Sequence, residues 1–204
     1  QKDPQLALYA EHMNMLMIEN DSTLAEFKLS ISQKYKRHRP RLLILLGNPA
    51  LLMRDEYREL WGDIPIVLCS EENYLGPQET YTKKQAIATA DRTPLTQLAD
   101  PYNMVLLYSN LYLDENIQLI CHIVPEIKKF IFIGDARQIN QTNNLDIRNK
   151  LKKTHPNVEY QFITPQDMTT NQLLDSLYFV DPKTTGVLFS SWFYKTTFAG
   201  NTSL

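Results

Sequence analysis

At 204 residues the chain suits one large domain or two small lobes, either able to bury a core, and 43% hydrophobic with 22% charged residues is a globular composition. A formal net charge of -2 carries no basic footprint, so DNA and RNA are excluded as partners. Two cysteines without a CxxC spacing exclude a disulfide framework, and no apolar run approaches the roughly 20 residues needed to cross a bilayer.

The opening Gln1-Lys2-Asp3-Pro4, with neither an initiator Met nor a signal peptide, reads as a boundary inside a longer protein. Residues 6–13 form a candidate first strand, although their Ala and Glu content also suits a helix. Asp21-Ser22-Thr23 then offers N-caps, and Leu24, Phe27, Ile31 and Tyr35 recur at helical spacing until Pro40. The cluster Lys34, Lys36, Arg37, His38, Arg39 suits the solvated last turn of that helix better than a phosphate site. A strand over 42–46, a turn at Gly47-Asn48-Pro49, a helix over 50–60 and a strand over 64–68 follow. From Ser70 to Pro101 periodicity fades, with turn formers at Gly76-Pro77, Pro94 and Asp100-Pro101; a connection this long is a functional loop or a crossover. Beyond it the pattern predicts strands over 104–108, 130–133, 158–163 and 186–190, separated by helices over 114–124, 143–154 and 170–179.

Short continuous apolar runs alternating with amphipathic stretches indicate an α/β protein, with parallel sheets in three layers between flanking helices. The expected division is one lobe over 1–100, including the crossover loop 70–101, and a second over 102–204.

Open parallel sheets bind ligands beyond the carboxyl ends of their strands, which selects the residues to inspect. Asn48, before Pro49, either caps a helix or meets a polar ligand group at its N-terminus. Ser70 and Glu71, with Glu72, Asn73 and Tyr74, make a cleft rim or a solvated loop. Asp135 and Arg137 can take ligand protons and clamp a carboxylate, or pair with each other. Ser191 and Trp192, beside Phe193 and Tyr194, offer hydroxyls next to a stacking platform, or simply pack the core. No HExxH, GxSxG, Walker A loop or GxGxxG is present, and His12, His38, His122 and His155 fall in unremarkable settings. No catalytic residue, cofactor or metal is therefore expected.

The order of segments, with "RLLILL", "ELWGDIPIVLCS", "NIQLICHIVPEIKKFIFIGD" and "VLFSSW", resembles the ABC-transporter substrate-binding-like family of the type I periplasmic-binding-protein fold. The likeness rests principally on Ile64-Pro65, Pro125 and Asp135 and spans most of residues 6–193. It implies two periplasmic-binding-protein-like lobes, truncated here because the family's first strand and final return segments have no counterpart. It also implies an interlobe cleft fed by Asn48, Ser70, Glu71, Asp135 and Ser191 or Trp192; Ser70-Glu71-Glu72-Asn73 replaces the Gly-rich stretch of many relatives, which points to a different ligand.

The function expected is the extracytoplasmic, periplasmic sensor domain of a two-component histidine kinase, binding a small polar ligand without catalysis. Contact with a membrane is expected only through a segment outside these residues, and a homodimer is left open. The alternatives are the binding component of an ABC transporter and a doubly wound enzyme using Asp135 as base, which requires a raised Asp135 pKa, and Arg137 as anion clamp. A further one is an interaction module, marked by an apolar patch in place of a polar cleft.

Overall fold

The first helix, α1 (Asp21–Tyr35), begins where Asn20 and Thr23 cap each other: Asn20 Oδ1 accepts from the Thr23 amide at 2.9 Å, and Thr23 Oγ1 accepts from the Asn20 amide at 3.3 Å. The cap is thus Asn20, one residue before the predicted triplet. This computed structural model describes residues 7–15 and 17–193.

After α1 the chain enters strand β1 (Leu43–Leu46) and turns at Gly47, whose φ of 84° is open to glycine at little cost. The predicted single helix is instead a 3₁₀ turn, Asn48–Met53, followed by α2 (Arg54–Trp61). Leu51, Leu52 and Met53 are consecutive and all buried; a 3₁₀ turn has three residues per turn and sends them in three directions, so the turn is enclosed on all sides. Strand β2 (Ile66–Ser70) begins two residues later than the apolar run suggested.

The stretch predicted to be irregular contains a short antiparallel pair, β3 (Tyr74–Leu75) with β4 (Thr93–Pro94), and the small helices α3 (Gln78–Thr82) and α4 (Leu95–Ala99). Leu75, Tyr81, Ile87 and Leu95 are buried from it, at spacings that match neither helical nor strand periodicity. Next comes β5 (Met104–Tyr108), and β1, β2 and β5 make a parallel sheet in that order, with Leu45 opposite Leu68 and Leu68 opposite Leu106.

The second half alternates α5 (Leu113–Ile123), β6 (Lys129–Ile133), α6 (Gln138–Thr154), β7 (Glu159–Ile163), α7 (Thr170–Tyr178) and β8 (Thr185–Phe189). Its strands form a second parallel sheet in the order β7-β6-β8. Phe130 and Phe132 of β6 pack with Ile117 of α5 and Ile147 and Leu151 of α6, while Ile131 and Ile133 meet Leu173 of α7. A parallel strand covered on both faces reads as an unbroken apolar run, and KFIFI is one.

The first sheet departs from the three-layer expectation. Leu45 and Leu68 face the core with Leu24, Ile31 and Trp61, but on the other face Ile44, Leu46, Val105 and Leu107 are 58%, 76%, 59% and 55% exposed. The candidate first strand is also corrected: residues 7–14 adopt no regular structure, and Leu6 lies outside the described residues. That segment is held by side chains, with Glu11 accepting from Lys34 and Tyr35 and the Tyr9 ring edge-on to Tyr35. Cys69 and Cys121 are free thiols.

Candidate functional site

The carboxyl ends of β1, β2 and β5 open on a cleft of about 970 Å³, whose opposite wall is the N-terminus of α6. Asn48, Ser70, Glu71 and Arg137 all border it. They do so in different ways.

Asn48 does not present its amide to the cleft. Its side chain is turned inward, donating to the carbonyl oxygens of Tyr74 and, at 3.3 Å, Glu72, and accepting from the Ser70 hydroxyl. Neither does it cap the following turn, whose N-cap is Gly47. Ser70 Oγ is 2.6 Å from the Glu72 carbonyl oxygen, to which it can donate, and accepts from the Glu72 amide at 3.0 Å. The pair therefore fastens the end of β1 to the start of β3, since buried polar groups are far more stable with partners than without. Glu71 is exposed at the rim, free to face solvent or ligand.

Glu72, which the sequence offered as part of a cleft rim or of a solvated loop, borders the cleft and is buried. Burial pushes its pKa up, against the opposing pull of hydrogen bonds from Tyr74 and Gln138 and of the Arg92 charge; the Tyr74 hydroxyl donates to it at 2.8 Å. Around it the 72–92 segment grips one stripe of α6. Gln138 meets Glu72 and donates to Thr142 at 2.7 Å, Thr142 accepts from the Ile87 amide at 2.9 Å, and Asp146 takes two bonds from Arg92 at 2.7 and 2.9 Å. Gln138, Thr142 and Asp146 recur every four residues and so share one face of the helix. This also explains why α6 starts five residues before its predicted position: Gln138, Asn140 and Thr142 look like loop residues, but each is buried with a partner.

Asp135 is fully buried and does not border the cleft. Its carboxylate accepts from the Arg137 amide at 2.9 Å, from the Arg137 guanidinium at 3.0 Å, from Asn140 at 2.9 Å and from Ser191 at 2.7 Å. Burial alone raises its pKa, but the bonds from Arg137, Ser191 and Asn140 outweigh it and hold the carboxyl below its usual range. That is opposite to what a general base at this position requires. The Asp135 to Arg137 pair is thus an internal one, though Arg137 still reaches the cleft with its guanidinium 4.6 Å from the Phe193 ring centre.

Ser191 serves the same network, and Trp192 packs beside Ile163 and Leu173 while its indole donates to Thr170 at 3.1 Å. Trp192 is half-buried against the core and does not border the cleft. The aromatic rings that do border the cleft are Phe193, Tyr108 and Tyr81; Tyr194 lies outside the described residues. Phe193 followed from the aromatic run at the end of the last strand, whereas Tyr108 carried no signal beyond closing β5. Among the described residues no group of three or more His, Cys, Asp or Glu is placed to hold a metal ion.

Comparison with protein-family models, with curated proteins and with solved structures returns no match to this chain.

Proposed function

We propose that this chain is the ligand-binding part of an extracytoplasmic sensor, periplasmic in location, whose two α/β lobes of the periplasmic-binding-protein type hold a small polar ligand between them. The observation that carries the proposal is the cleft itself: it lies at the carboxyl ends of β1, β2 and β5, the side on which open parallel sheets bind ligands, and faces the N-terminus of α6. Glu71, Arg137 and Gln138 supply polar contacts there, and Phe193 and Tyr108 supply rings. The resemblance to ABC-transporter substrate-binding-like proteins supports the same reading, with a two-component histidine kinase as the parent protein. Ligand binding shifts the relative population of lobe arrangements, and the shift is passed to the kinase.

A thermal-shift screen against amino acids, sugars, nucleosides and small carboxylates tests this. A ligand at about 100 times its dissociation constant stabilises the folded chain by roughly 2.7 kcal/mol. Glu71→Ala and Tyr108→Ala, both at exposed positions on the cleft, are expected to abolish the shift without unfolding the protein. No shift with any class, or a shift indifferent to both substitutions, refutes the proposal.

A further inference from the structure

Several polar side chains around the cleft are committed within the protein. Asn48 gives its amide to the carbonyl oxygens of Tyr74 and Glu72, and Ser70 is bonded to Asn48 and to the Glu72 backbone. Gln138 donates to Thr142 at 2.7 Å and meets the buried carboxyl of Glu72. Between these groups the walls are largely apolar, with Leu46, Leu106, Leu107 and Ile139 beside the rings of Tyr108 and Phe193. A ligand carrying polar groups all round, such as a sugar, would leave most of them unpaired against such walls, which is costly.

Arg137 is placed differently. Its Nε and Nη2 meet the Asp135 carboxylate at 3.0 Å, which occupies one edge of the planar guanidinium. Nη1 has no partner among the described residues, and the side chain is 36% exposed where it borders the cleft. The edge formed by Nη1 and the outer hydrogen of Nη2 is therefore unused, and its parallel donors match the two oxygens of a carboxylate. The group is also held in place. Asp135 is fixed in turn by Asn140 at 2.9 Å and Ser191 at 2.7 Å, and the Phe193 ring centre lies 4.6 Å from the guanidinium carbon. A side chain already ordered in the free protein loses little freedom on binding. A phosphate dianion could meet the same edge, but Glu71 stands on the same cleft and repels a doubly charged group more strongly than a singly charged one.

We propose that the ligand is a monocarboxylate with an apolar or aromatic body, its carboxylate held end-on by Arg137 and its body against the apolar walls of the cleft. A volume of about 970 Å³ has room for such a body beyond the carboxylate. This assignment rests on the cleft being the ligand site proposed above, and adds the ligand's charge and the residue that reads it.

Isothermal titration calorimetry on the full chain compares phenylacetate with its neutral isostere phenylacetamide and with phenyl phosphate. Phenylacetate is expected to bind at least about tenfold more tightly than either, and to lose that advantage in Arg137→Gln. Arg137→Lys keeps the charge without the bidentate edge and is expected to recover only part of it. Circular dichroism checks that each variant is folded, because Arg137 also holds Asp135. If neither Arg137 variant folds, Phe193→Ala decides: at an exposed position it leaves the Asp135 pair in place, and it is expected to weaken phenylacetate more than phenylacetamide. Equal binding of acid and amide, both lost in Tyr108→Ala, overturns the carboxylate and keeps the cleft as a site for a neutral ligand. A preference for the acid that persists in folded Arg137→Gln also overturns it, as does tighter binding of phenyl phosphate. Binding of none of the three overturns it too, and only a thermal shift with another class of ligand would then keep the cleft as a site.

Discussion

Arg92→Ala is a substitution outside the apolar core from which the structure predicts a large loss. The guanidinium makes two bonds to Asp146 at 2.7 and 2.9 Å, two to the Ile87 carbonyl oxygen at 3.0 and 3.3 Å, and lies 4.6 Å from the centre of the Tyr74 ring. A charge-assisted bond to a buried carbonyl contributes about 1.5 kcal/mol. The Asp146 pair, partly open to water, contributes about 1 kcal/mol. The ring contact contributes about 0.5–1 kcal/mol. The sum is about 3 kcal/mol, which for a chain of this size lowers Tm by about 6–12 °C. Asp146→Ala removes only the ion pair and is expected to cost about 1 kcal/mol, with a coupling between the two sites of similar size. Urea unfolding at pH 7 of the parent, both single variants and the double variant measures all of these. A cost for Arg92→Ala within about 0.5 kcal/mol of zero, the range of ordinary surface substitutions, refutes the claim that the 72–92 segment is clamped to α6. An Asp146→Ala cost as large as that of Arg92→Ala refutes the division between carbonyl and carboxylate.

Glu72 has a raised pKa in the folded chain, so the folded state binds its proton more tightly than the unfolded one. Stability from this group is full below the ordinary carboxyl pKa and declines as pH climbs through the raised folded value. Glu72→Gln is therefore expected to be more stable than the parent at pH 7 and equal to it near about pH 4 in paired denaturant titrations. Asp135 has the opposite sign: its depressed pKa contributes stability above the ordinary carboxyl range that is lost as pH falls through the folded value. Asp135→Asn is expected to cost about 3 kcal/mol at pH 7 and to flatten the acid limb of the stability curve. Gly186→Ala places a Cβ in overlap with Ile120 Cγ2 and 3.0 Å from Ile127 Cδ1, so calorimetry is expected to register a loss of about 1–3 kcal/mol from overpacking.

The periodic signals in the sequence carried through where a segment's environment is uniform along its length. KFIFI is buried on both faces and α1 keeps Leu24 and Ile31 inward, so apolar spacing alone located β6 and α1. It failed at residues 7–14, where an apolar run is pinned through Glu11 and Tyr9 to the end of α1 instead of joining a sheet. It failed again across 70–101, where Leu75, Tyr81, Ile87 and Leu95 enter the core one at a time from short elements.

The candidate site divides along the same line. The rule that ligands gather at strand carboxyl ends selected Asn48, Ser70, Glu71 and Arg137 from local sequence, and all four border the cleft. Which polar atoms remain free to meet a ligand was not legible, because a hydrogen-bond partner is a matter of tertiary distance. Asn48 and Ser70 are committed to carbonyls of the β3 approach, Asp135 and Ser191 to each other, and Trp192 to Thr170. Gln138 entered the site only when the chain brought the start of α6 to the first sheet, where it meets the buried Glu72. By itself the sequence determined the α/β alternation, since that depends on period and length within each segment. The tertiary structure alone decided which carboxyl is buried, which sheet face is left uncovered and which side chains point into the cleft, since each depends on what a distant part of the chain places beside it.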